Sequence, residues 1–210
     1  AGPAGVFAAL ELVRLKPKLR VLVLERGKPI ARRSCPARQR ACVGCPTCAI
    51  MTGWGGAGAF SDGKLTLSTD VGGWLGDYVG DEQLSVLVED SDRVWLRFGA
   101  TEEVHGPDAD TAARLIHDAT LAGMRLIPMR IRHIGSDRSP AVLQAMYDHL
   151  VEIGVEVRTE TEVAQILERN GSVRGVELVD SSVVEAPAVI VAPGRDGADW
   201  LAAQAQRLGL

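Results

Sequence analysis

The 210-residue chain is 46% hydrophobic and 24% charged, with a formal net charge of -4, a composition of globular rather than disordered or fibrous proteins. Its arginines are dispersed and the balance is acidic, so no basic surface for a nucleic-acid partner is expected. No apolar stretch reaches the ~20 residues that span a bilayer, no secretory signal opens the chain, and the expected location is cytoplasmic.

The chain opens on Ala1-Gly2-Pro3-Ala4-Gly5. Apolar positions at helical spacing follow from Val6 to Leu15, and Pro17 breaks the pattern. The strand Val21-Leu22-Val23-Leu24 then delivers Glu25, twenty positions after Gly5. Together these read as the back half of the dinucleotide-binding fingerprint G-x-G-x-x-G, so the chain is expected to be a piece of something longer. In that pattern Gly2 admits a pyrophosphate to the backbone, Gly5 lets the helix pack on the sheet, and the helix N-terminus faces the phosphates. Glu25 would accept from a ribose hydroxyl, which favours FAD or NAD over NADP.

Lys28 to Met51 reads as a loop holding all four cysteines, Cys35, Cys42, Cys45 and Cys48, in the order C-x6-C-x2-C-x2-C. Three readings stay open for it: a [4Fe–4S] cluster, a zinc ion on four thiolates, or thiols that hold no metal. A glycine-dense stretch, Gly53 to Lys64, is long enough to run along an extended ligand. Leu65–Ser68 is a short strand in this reading, Val71–Gly80 a loop, and Asp81–Phe98 and Asp110–Ala122 are amphipathic helices, the latter capped by Asp108 or Asp110. Arg125–His133 alternates as a strand does, and Ser139–Ile153 is helical. Val155–Arg158, Thr161–Glu168, Val173–Val179 and Val183–Ala186 are strands, with Asn170-Gly171 as a hairpin turn. Ala188–Ala192 reads as a fully buried strand ending at Pro193-Gly194, and Asp199–Arg207 as a last helix.

The fold expected is α/β: a Rossmann-like, doubly wound parallel sheet with a β-meander, plus part of a second, substrate domain. Residues 1–68 and 139–210 would form the two parts of the nucleotide domain, the second truncated, and 69–138 the inserted segment.

Gly-Pro-Ala-Gly at the start, Glu25-Arg26-Gly27 and Ala192-Pro193-Gly194-Arg195 resemble the two-dinucleotide-domain flavoproteins of the glutathione reductase superfamily. Cys35-Pro36, the Cys42–Cys48 cluster, Gly55–Leu65 and His133-Ile134-Gly135-Ser136-Asp137 are similar to a bacterial family of FAD-dependent dehydrogenases, or NAD(P)/FAD-dependent oxidoreductases, over nearly the whole chain. The resemblance implies a tightly held FAD, NAD(P)H as an electron donor, and a small-molecule substrate or electron acceptor. It implies FAD contacts at Gly2, Pro3, Ala4, Gly5, Glu25, Arg26, Gly55, Gly56, Gly58, Ser61, Asp62, Val163, Gly194 and Arg195. Lys64, a cation for reduced flavin, and His133, a general acid or base, are the candidate catalytic residues. Two other readings stand beside this one: a metal-stapled nucleotide-binding module without catalysis, and an inactive piece of a longer protein.

Overall fold

The computed structural model describes residues 1–210, the side chain of Arg38 excepted. The chain forms two compact units, one from residues 1–60 and 143–210, the other from residues 61–142.

In the first unit, Pro3 starts the helix Pro3–Leu15, where its fixed φ suits the first turn and its missing N–H leaves nothing unpaired. This helix buries Val6 and Ala9. The strand Leu22–Leu24 runs parallel to Glu156–Arg158, with Leu22 opposite Glu156 and Leu24 opposite Arg158. Backbone bonds continue beyond the strands: the Glu25 N–H donates to Arg158 O, the Thr161 N–H to Glu25 O and the Glu160 N–H to Gly27 O. Leu143, Met146 and Leu150 lie on one face of the helix Ser139–Glu152 and are fully buried, as is Trp54. Trp54 donates from Nε1 to the Leu143 carbonyl at 2.8 Å and meets the Tyr147 ring edge-on at 5.0 Å.

The expected meander is present: Val163–Arg169, Ser172–Leu178 and Val183–Glu185 pair antiparallel in that order. Asn170 and Gly171 both have positive φ, 56° and 74°, the backbone of the tight turn whose twist matches the strands it joins. The helix Ala198–Leu208 sends side chains to the first of these strands. Trp200 Nε1 donates to the Ala164 carbonyl at 2.9 Å, Gln204 Oε1 accepts from the Ile166 N–H at 3.1 Å, and Arg207 donates to the Ile166 carbonyl. An edge that would template foreign pairing is thereby occupied.

The expectation of a doubly wound sheet needs correction. The fold is mixed α/β with small sheets, and the parallel one has two strands. Ala188–Ala192 is not a strand, and Ile190 is 61% exposed. A strand exists only through its neighbour's ladder bonds, and among the described residues none joins this apolar run to another strand.

In the second unit, Lys64–Thr66 and Val104–His105 flank Ile131–His133, both antiparallel to it. Asp108 caps the helix Ala109–Leu121, accepting from the Thr111 N–H at 2.9 Å. That helix and Asp81–Arg97 bury no residue fully, although each carries the apolar stripe of a packed helix. Arg125–Arg130 lies outside the strand expected to include it, and a short helix, Leu75–Val79, stands where a loop was expected. No helix is long and apolar enough to cross a membrane.

One ion pair pins helix to sheet in this unit. Arg132, on the central strand, presents Nε and Nη2 to the two oxygens of Asp92 at 2.6 and 2.7 Å, and Nη1 to the Thr101 carbonyl at 2.6 Å. Its side chain is 5% exposed and that of Asp92 16%, so the fork-to-fork geometry works in a poorly solvated setting. The hydrogen bonds to Asp92 outweigh burial and raise the Arg132 pKa. Replacing one partner strands the other charge. Asp92→Asn is therefore expected to cost the second unit about 3 kcal/mol, measured as lost hydrogen-exchange protection of amides in 81–97 and 131–133. Unchanged protection would show that the pair contributes nothing net.

Candidate functional site

Stretches far apart in sequence converge in the first unit. The Gly55 N–H donates to the Ala1 carbonyl at 2.9 Å, which sets the glycine-dense segment against the opening turn. Here backbone lies on backbone: a Cβ on Gly56, whose φ is +60°, would come within 2.9 Å of the Gly2 Cα. A Cβ on Gly55 would overlap the Leu143 side chain. Trp54, buried beside them, anchors the segment to the helix that carries Leu143.

Glu25 is 6% exposed at the end of its strand. One carboxylate oxygen accepts from the Gly27 N–H at 2.7 Å, and the other pairs with the Ala1 amine. Burial, with the Arg33 charge nearby, pulls that amine's pKa down to about 5. The carboxylate thus stands beside the first residue of the opening turn. Each of its oxygens has a second lone-pair direction with which to accept a hydroxyl.

Beside Glu25, Arg26 donates to Asp196 and lies 3.7 Å from a Glu162 oxygen. Asp196 also accepts from the Thr52 hydroxyl at 2.5 Å. These two contacts, the hydroxyl first and the Arg26 charge after it, hold the Asp196 pKa below the usual carboxylate range. Asp196 follows Gly194, whose φ of +67° suits glycine, and the exposed Arg195. So the late turn reaches the glycine segment through Asp196, a residue the motif reading passed over in favour of its neighbour. Val163 begins the meander two residues after Thr161, which is bonded to the Glu25 carbonyl.

Two further glycines, outside the expected contacts, are also tightly packed. A Cβ on Gly27 would come within 2.5 Å of the Gly53 nitrogen, and one on Gly53 within 2.7 Å of both the Arg33 side chain and the Lys28 carbonyl. Gly5 differs from its expected role: a Cβ there meets only the Ala192 side chain at 3.8 Å, an ordinary contact. Gly58 likewise has room, with Pro3 at 4.0 Å. Arg33, buried beneath the segment, donates to the carbonyls of Ala49, Ile50, Trp54 and Gly56 at 2.7–3.0 Å. No local spacing marks an arginine for that task.

Ser61, Asp62, Lys64 and His133 belong to the second unit. Lys64 Nζ lies 2.8 Å from Asp62, and Lys64 and His133 are opposite each other in the strand register. Hydrogen bonding within the exposed pair raises the Lys64 pKa and lowers that of Asp62, so both stay charged at neutral pH.

The four cysteines are free thiols, Cys42 and Cys45 exposed, Cys35 and Cys48 half-buried. Among the described residues no three His, Cys, Asp or Glu side chains are gathered to hold a metal, and the iron–sulfur and zinc readings gain no support. The stretch from Ser34 to Cys48 has no buried residue among those described, so no packing draws its thiols together.

No protein-family model matches this chain. It is 24% identical over 200 residues to a protein of Clostridium beijerinckii known only as uncharacterized, covering 94% of this chain and 30% of that one. Among solved structures, L-amino acid deaminase from Proteus vulgaris matches 100% of this chain and 48% of its own, with a TM-score of 0.50 and 14% identity. Glycine oxidase from Bacillus cereus matches 90% of this chain and 54% of its own, with a TM-score of 0.47 and 12% identity. The chain thus spans under a third of the curated relative and about half of each of these solved structures. The match to the deaminase is a likeness of fold.

The glycine geometry makes an ordered prediction. Gly27→Ala should destabilise the first unit by several kcal/mol, about 3 or more, because backbone must move. Gly5→Ala should change stability by less than about 1 kcal/mol, or stabilise slightly through helix propensity. Urea unfolding of the two variants checks this, and equal effects would contradict the packing described. Asp196 contributes stability above its unfolded pKa that is lost as pH falls through its depressed folded value. Asp196→Asn should therefore flatten the acid limb of the melting-temperature profile below about pH 4.

Proposed function

We propose that this chain carries the FAD-binding part of a flavin-dependent oxidoreductase acting on a small molecule, of the FAD-dependent dehydrogenase kind its motifs resemble. The observation that carries the reading is the meeting of the Gly2 turn with Gly55–Gly56, where the buried Glu25 carboxylate also stands. The deaminase likeness supports the fold alone.

The residues fit such a cofactor. The glycines let the opening turn and the glycine-dense segment pack backbone to backbone, and the acid beside them suits a free ribose hydroxyl. Gly2, Pro3, Ala4, Gly55, Gly56 and Gly58 would face the diphosphate, Glu25 would accept from the ribose, and Val163 would border the adenine. Arg26, held by Asp196 and Glu162, keeps the strand end and the Gly194 turn together. When bound, FAD supplies hydride and electron transfer, with NAD(P)H a proposed donor. Lys64, kept charged by Asp62, serves as a fixed cation rather than a base in this reading. His133, across the register from it, is the proposed general acid or base.

FAD added to the purified chain is expected to raise its melting temperature, with its own fluorescence quenched on binding. Glu25→Gln should weaken FAD binding about 10- to 100-fold, the worth of one charged hydrogen bond. A chain whose melting is unmoved by FAD would overturn the reading.

A further inference from the structure

Arg33 raises a question that the motifs do not answer. Its guanidinium is buried, yet its partners among the described residues are carbonyl oxygens and a ring, with no carboxylate. Nε donates to Ala49 at 3.0 Å, Nη2 to Ile50 at 2.9 Å, and Nη1 to Trp54 at 2.7 Å and Gly56 at 2.8 Å. The guanidinium carbon lies 4.8 Å from the centre of the Phe60 ring. Four neutral acceptors satisfy the N–H groups without cancelling the charge, and a buried charge without a counter-charge is costly. Burial lowers its pKa to about 10, so it remains a cation at neutral pH.

Two features say where that charge is directed. The carbonyls it holds on Trp54 and Gly56 bracket Gly55, the residue bonded to Ala1, and Gly56 is the residue packed on Gly2. A trans peptide points its N–H opposite to its C=O, so fixing the Gly56 carbonyl on Arg33 turns the Ala57 N–H the other way. The Arg33 side chain also packs on Gly53 at the head of the segment, where a Cβ would come within 2.7 Å of it.

We propose that Arg33 is a positioning residue for a dinucleotide diphosphate: it sets the glycine segment from beneath and supplies the positive charge that the bound phosphates balance. The inference deepens the proposed flavin reading and rests on it. Lysine in its place would keep the charge but lose the planar fork that spans four carbonyls.

The test compares FAD binding by the wild-type chain, Arg33→Lys and Arg33→Met, by quenching of flavin fluorescence at low and high salt. Near-UV circular dichroism without FAD reports the Trp54 environment as a check on folding. Arg33→Met should bind FAD about 10- to 100-fold more weakly and with less salt dependence than wild type. Arg33→Lys should recover the salt dependence but only part of the affinity. Wild-type affinity and salt dependence in both folded variants would overturn the proposal and leave the flavin reading standing. Loss of the Trp54 signal in both variants would overturn it too, by making Arg33 a folding residue. Failure of the wild-type chain to bind FAD would remove both.

Discussion

Backbone approaching backbone, with nothing between, is the constraint on which the first unit rests. Gly27 lies against Gly53, and Gly56 against Gly2, so that a side chain on Gly27 or Gly56 would strike backbone. These contacts bring the opening turn, the end of the first strand and the glycine-dense segment into one place. The cost is conformational entropy, since glycine loses more freedom on folding than any other residue. It also leaves irregular backbone whose polar groups need partners. Arg33 takes four of the carbonyls, and Trp54 fixes the segment to a buried helix. Close approach and its compensation are therefore a single device spread over residues distant in sequence.

The two units solve their charge problems differently. In residues 61–142, Arg132 is matched by a carboxylate in fork geometry, and the pair joins a helix to a sheet whose strands are two or three residues long. In the first unit the buried acid and the buried base are not matched to each other. Glu25 is met by an amide and an amine, Arg33 by carbonyls. Separated opposite charges cost more than a pair, and proteins keep such arrangements mostly where a ligand completes them.

Local signals carried much of the architecture. Asp108, one of the two cap candidates, and Asn170-Gly171 as a turn each act through chemistry within a few residues, and each is where the pattern allows it. The failures share a cause of the opposite kind. Ala188–Ala192 has the composition of a buried strand, but strandhood needs a neighbour that composition does not report. Gly2 and Glu25 were legible because a known spacing ties them together. Gly27, Gly53, Arg33, Thr52 and Asp196 were not, because what makes them matter is a contact across 20 to 144 residues of chain. The cysteine spacing left three readings open because it describes which thiols could meet, and among the described residues no such group is gathered.

The charges around the opening turn also bear on which ligand suits it. Arg26 is already engaged by Asp196 and Glu162 and has little left to offer an added phosphate. In the flavin reading proposed above, Glu25 would carry its negative charge beside the sugar, and a phosphate on that sugar would meet repulsion in a site of low dielectric. Arg33 lies beneath the glycine segment instead of beside the proposed sugar position. On the proposed reading an anion would therefore be welcome along the glycine backbone and unwelcome at the strand end. That polarity matches a dinucleotide whose charge is confined to its diphosphate, and disfavours one with a further phosphate on the ribose.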